Sequence, residues 1–267
     1  TSRVIVNRVW RWHFGAGLVR SVDNFGLLGD KPSHPELLDW LALRFVQDGW
    51  SIKSLHRLIV LSATYQVGSQ TEAANLERDP ENQWFARASV RRLEAEAIRD
   101  SLLSVSGRLD HTMGGSLLTV KNRAYFFDHT SKDLTDYSSP RRSLYLPVVR
   151  NNVYDFFQLL DYPDAAIPTG DRPTTTIAPQ ALLMMNSPFV AETSEALATR
   201  LLQEVPNSDG DRIQHLYARA FGRSASADEV TQARSLLDDI TASAGRVQAW
   251  ASLCQVVLAS NEFIYLQ

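Results

Sequence analysis

Three histidines, His13, His34 and His56, fall in the first third of the chain. Neutral imidazoles bind zinc, and Asp39 would supply a fourth ligand. No two of the three stand four residues apart, so the ligand pair that a helix usually presents is missing. The single cysteine, Cys254, excludes an internal disulfide, a haem-attachment pair and a thiolate zinc cluster. The expectation is therefore packed, hydrogen-bonded histidines, with no metal and no cofactor in this chain. Arg8 and Arg57 lie beside these histidines in sequence and join them as candidate binding residues.

The densest charge cluster is Arg91, Arg92, Glu94, Glu96, Arg99 and Asp100. A carboxylate pair within it would do acid–base work if burial tuned it. The simpler reading is a solvated helix face with a salt-bridge seam, Arg92 and Glu96 standing four residues apart. Arg141, Arg142 and Arg150 flank an apolar extended segment, and guanidinium forks suit carboxylate, sulfate or phosphate. Arg172 and the run Thr174 to Thr176 precede a helix start, a second place for an anion, although Thr176 alone would serve as the cap. The loop from Asp128 to Ser139 is rich in oxygen ligands. It lacks the spacing and central glycine of a calcium loop and reads as a surface loop able to close as a lid. No nucleophile elbow, phosphate loop or dinucleotide fingerprint is present.

The elements that must position these groups are mostly helical. Val6, Val9, Trp10, His13 and Phe14 share one face of a helix over Arg3 to Phe14, which Gly15 and Gly17 end. Ser33 and Glu36 have the spacing of a capping box, with Pro35 in the first turn and Leu37, Leu38, Leu41 and Phe45 as the apolar stripe. Ser51 caps a third helix carrying Ile52, Leu55, Leu58 and Ile59. The stretch from Ser69 to Gln83 reads as a loop, and Val90 to Val105 as an amphipathic helix closed by Gly107. Pro140 and Pro147 forbid a continuous helix through the middle, so residues 115–150 read as a small irregular β or extended region. Helices return over Asn152 to Leu160 and from Ala178 to the end, with Ser226 and Glu229 as a second capping box. The fold class is mainly α, one domain over 1–267, with helical parts at 1–110 and 176–267 around a mixed part at 111–175.

Strings such as Asp23-Asn24-Phe25-Gly26, Ser33-His34-Pro35-Glu36-Leu37-Leu38-Asp39-Trp40-Leu41, Leu55-His56-Arg57-Leu58-Ile59, Arg91-Arg92-Leu93-Glu94-Ala95-Glu96 and Asn186-Ser187-Pro188-Phe189-Val190 resemble a planctomycete-specific domain of unknown function. Shorter matches, including Arg141-Arg142-Ser143 and Ser260-Asn261-Glu262-Phe263, carry the resemblance over nearly the whole chain. It implies the C-terminal part of a large protein that often begins with a cytochrome-c-like domain. It also implies a periplasmic or cell-surface location, and it assigns no residue a catalytic role.

The chain has 267 residues, 44% hydrophobic and 21% charged, which is ordinary for a globular protein. A net charge of −3 leaves no basic footprint for nucleic acid. No apolar run reaches the roughly 18 residues of a membrane span. The chain opens on Thr1-Ser2-Arg3, already in a helical pattern, and reads as a piece of a longer protein.

Three functions follow as expectations. The first is a helical module of no catalytic activity that docks a neighbouring domain of its parent protein or binds a polymer. The second is a hydrolase or lyase acting on complex polysaccharide, since aromatic faces stack on sugars and carboxylate pairs cleave them. The third is an accessory partner of a cytochrome-c-like electron-transfer domain. In each case the pocket is expected between the first third and the helix from Val90, with Trp10 and Trp40 buried. Arg8, His13 and His56 would there meet Glu94 or Glu96, rimmed by Arg141 or Arg142.

Overall fold

Local signals set several helix ends in the structure, a computed structural model that describes residues 1–118, 137–149, 153–206 and 208–266. The chain forms two compact units, the first of Thr1–Arg91 with Thr169–Asp171 and Leu266–Gln267, the second of the remainder.

The first unit holds α1 (Ser2–Phe14), α2 (Pro35–Gln47), α3 (Ile52–Val60) and the short α4 (Ala73–Arg78). Its core is Val6, Val9 and Trp10 of α1 against Leu38, Leu41 and Phe45 of α2 and Leu55 and Ile59 of α3, with Leu18, Val19 and Phe85 closing it. Gly15 ends α1 at φ 82°, the left-handed turn that glycine takes without a Cβ clash. The linker that follows is tied down by Asn7, buried on α1. Its amide donates to the Val19 carbonyl at 2.9 Å and its oxygen accepts from the Val19 N–H at 2.8 Å.

Three sequence expectations fail here. Ser33 does not cap α2. The cap is His34, because Pro35 takes the first helical position and keeps the residue before it out of the helical region, at φ -133° and ψ 79°. Glu36 is then one position too early for a capping box, and the Ser33 hydroxyl donates to the Leu18 carbonyl at 3.3 Å. The loop expected over Ser69 to Gln83 contains α4. Trp40 is not buried but 54% exposed. It lies about 200° around α2 from Leu38, off the face that meets the core.

The second unit holds α5 (Ala95–Ser106), a 3₁₀ turn at Ser143–Tyr145, α6 (Asp155–Leu159), α7 (Ala178–Asn186), α8 (Pro188–Glu204), α9 (Asp209–Phe221), α10 (Ala227–Ala244), α11 (Arg246–Leu258) and α12 (Asn261–Ile264). Helix α8 is the centre, packed on α5, α7, α9 and α11, and α10 covers α11. Leu197, Ala198 and Leu201 of α8 meet Ala249, Trp250 and Cys254 of α11 in one apolar core. Ser226 caps α10 as expected: it accepts from the Glu229 N–H while Glu229 accepts from the Ser226 N–H at 2.7 Å.

Mainly α is the observed class. Among the described residues the only sheet is β1 (Arg91–Arg92) with β2 (Tyr265–Leu266). That pairing corrects the helix expected from Val90. The Leu93 N–H donates to the Ile264 carbonyl at 2.8 Å, so the segment is extended and α5 starts only at Ala95. A distant partner has overridden the helical pattern. Within the expected extended region, Arg141 forms an isolated β-bridge with Asp110, which precedes that region, and Ser143–Tyr145 forms a 3₁₀ turn. Most of the loop from Asp128 to Ser139, and Arg150, lie outside the described residues.

Candidate functional site

Helix α2 buries Leu38, Leu41, Ala42 and Phe45, and α3 buries Leu55 and Ile59. The faces beside these stripes are left to line an open groove of about 760 Å³. Leu37, Trp40, Arg44 and Asp48 come from α2 and its end, Ser54, Arg57 and Leu58 from α3, and Leu61, Ser62 and Thr64 from the turn beyond, with Trp10 also reaching it. Trp40, Arg44 and Asp48 stand at i, i+4 and i+8, which puts them on one side of α2. The volume lies in the range that encloses a whole ligand and not one side chain.

Most polar groups of this lining are already bonded. The Arg44 guanidinium meets Asp48 at 3.1 Å. The Ser54 hydroxyl donates to the Ser51 oxygen at 3.0 Å, and the Ser62 hydroxyl to the Ile59 carbonyl at 2.7 Å. Arg57 is different: it makes no ion pair among the described residues. The indole N–H of Trp10 is buried and has no acceptor among the described residues.

His13 and His56 also converge in the first unit. His13 Nε2 lies 2.7 Å from His56 Nδ1, so one of the two nitrogens donates to the other. The Tyr65 ring stands edge-on to His13 at 5.4 Å. Burial first, then the charges of His56 and Arg91, hold His13 below the usual imidazole range. Charging His13 therefore costs desolvation first and repulsion from its neighbours second.

The other expected residues of this unit go elsewhere. His34 Nδ1 lies 2.9 Å from the neighbouring Ser33 hydroxyl oxygen, which accepts from it when the hydroxyl donates to Leu18. Asp39 pairs with Arg3 at 2.7 Å. Arg8 lies over the Trp12 ring at 5.9 Å. The zinc set of three histidines with Asp39 therefore does not come together, and among the described residues no three His, Cys, Asp or Glu converge.

Over residues 1–237 the chain matches the family model described as PSD1, protein of unknown function (DUF1553). It belongs to that family. No curated protein and no solved structure matches the chain. The DUF1553 assignment carries no activity, so function has to be argued from the geometry.

The second unit of this DUF1553 chain holds Glu94, Glu96, Arg141 and Arg142. Both glutamates pair with Arg172, at 3.1 and 2.8 Å, and Arg172 lies over the Tyr162 ring. Arg141 is buried, spends its guanidinium on the Thr112 and Gly114 carbonyls, and stacks on Tyr145 at 4.2 Å. Arg142 is exposed and precedes the 3₁₀ turn.

The expected solvated seam is corrected in two places. Arg99 is 1% exposed and donates to the Arg141 carbonyl at 3.0 Å and the Ser139 carbonyl at 2.5 Å, because carbonyls replace the water its charge needs. Arg92 turns from Glu96 to Asp161, at 2.6 Å. Asp161 was not singled out in sequence. It takes the Thr175 N–H at 2.7 Å, the Thr175 hydroxyl at 2.8 Å and the Gln180 amide at 3.3 Å, from a backbone at φ 61°. Burial pushes its carboxyl up, but these hydrogen bonds and Arg92 outweigh it and hold it below the usual range. The Thr176 hydroxyl bonds to Tyr265, so Ile177 and not Thr176 stands at the cap of α7.

The groove had one readable signal, a second helical stripe through Leu37, Trp40, Arg44 and Asp48 next to the core stripe. The Asp161 network had none, since Arg92 stands 69 residues from Asp161 and Thr175 and Gln180 stand 14 and 19 residues from it.

Proposed function

We propose that this chain is a helical docking module that takes a segment of another protein domain into the groove between α2 and α3. The observation that supports it is the lining: Trp40, Leu58 and Leu61 stay open to solvent while most polar groups beside them are already bonded. A sugar polymer would need those polar groups free for its hydroxyls. Glycoside cleavage would need two carboxylates in the cleft, and the lining carries one, Asp48, held by Arg44. On the resemblance stated above, the partner is a neighbouring domain of the parent protein, outside the cytoplasm. The recognition would be helix-in-groove, anchored by apolar side chains at i, i+3 or i+4 and i+7.

The test uses fluorescein-labelled helical peptides with that leucine stripe, read by anisotropy against the full chain. Binding that weakens at least about tenfold in Leu61→Arg, with the far-UV spectrum unchanged, supports docking. Binding indifferent to Leu61→Arg and Trp40→Ala refutes it.

A further inference from the structure

Resting on the docking reading, we infer that the groove selects an acidic amphipathic helix, with a ligand carboxylate paired to Arg57. The groove holds two guanidinium groups and one carboxylate. Asp48 neutralises Arg44 at 3.1 Å, which leaves Arg57 as its uncompensated charge. Arg57 stands beside Leu58 on α3 and faces the same space as Leu61 and Trp40. A ligand that covers those apolar groups must strip water from the Arg57 guanidinium. That cost is offset when the ligand brings a carboxylate, whose two oxygens match the guanidinium fork. A lysine at the same place would meet a like charge.

The dimensions fit a helix. Helix α2 has 13 residues, about 20 Å of wall, the length of a ligand helix of three to four turns. Such a helix sets apolar residues on one face and an acidic residue one position aside, matching a leucine-lined floor with one arginine, Arg57, left without an ion pair among the described residues. A polyhydroxylated sugar fits less well, because Ser54 and Ser62 donate within their own turns.

Three capped peptides of about 14 residues share one leucine stripe and carry Glu, Gln or Lys beside it. We expect the Glu peptide to bind the full chain at least about tenfold more tightly than the Lys peptide, with the gap narrowing as salt is raised. Arg57→Glu should invert the order, and Arg57→Gln should abolish it. Both substitutions are at an exposed position, and circular dichroism checks that each variant is folded. Equal affinities for the three peptides, or an order unchanged in Arg57→Glu, overturn the acidic preference and leave docking standing. If no peptide binds, while a uronate or neutral glucan oligosaccharide binds and is lost in Leu61→Arg, the docking reading itself is overturned.

Discussion

Asp161→Asn probes the buried network of the second unit. The carboxylate accepts from Arg92 at 2.6 Å, from the Thr175 N–H and hydroxyl, and from Gln180. The Arg92 side chain is 3% exposed and that of Asp161 14%. Asparagine tolerates the left-handed backbone at this position, so the substitution removes charge and leaves shape. Breaking a buried ion pair on one side costs about 3–5 kcal/mol, because a charge is left without a partner. The amide oxygen still serves one donor, and Arg92 also donates to the Leu160 carbonyl at 3.1 Å, which places the expected loss at the lower end, about 3 kcal/mol. Urea unfolding followed by far-UV circular dichroism measures it. Arg92→Met should then cost about 1–3 kcal/mol less in the Asn background than in the wild type. The folded carboxyl is held low, so its contribution is present above the unfolded value of about pH 4 and is lost as pH falls toward the folded one. The gap between wild type and variant should therefore narrow in acid. A loss below about 1 kcal/mol, or no coupling with Arg92→Met, would mean that water serves these groups as well as they serve each other.

Three further outcomes are expected. Ser51→Ala should cost about 1 kcal/mol in a denaturant melt, since Ser51 accepts from the Ser54 N–H, whereas Ser33→Ala, which removes no cap, should cost less. His13 is held below its unfolded value, so the unfolded chain takes up more protons and stability should fall as pH drops below about 6.5; melting midpoints at pH 7.5 and 5.5 should differ less in His13→Asn than in the wild type. Leu197→Ala, at a fully buried position of α8, should cost about 3–5 kcal/mol by the cavity it leaves, read from the urea midpoint.

The mainly α class and several helix ends were legible in the order of residues alone. Gly15, Gly107 and Gly222 stop α1, α5 and α9 in left-handed turns, and Ser226 with Glu229 opens α10, because each signal acts within one turn of backbone. The same locality explains the failure at Ser33, where the restriction that Pro35 puts on His34 outranks a capping pattern. The candidate residues were only partly legible. His13, His56 and Arg57 could be named from type and position, but which nitrogen faces which, and that His34 and Asp39 turn away, depends on how α1, α2 and α3 pack. Tertiary structure alone decided that Arg92 belongs to Asp161, that Arg99 is buried among carbonyls, and that Trp40 is left exposed in a groove. Periodicity shows which face of a helix is apolar. It does not say which of two adjacent faces the core will fill, and buried charges choose partners by the space that packing leaves, not by their spacing in the chain.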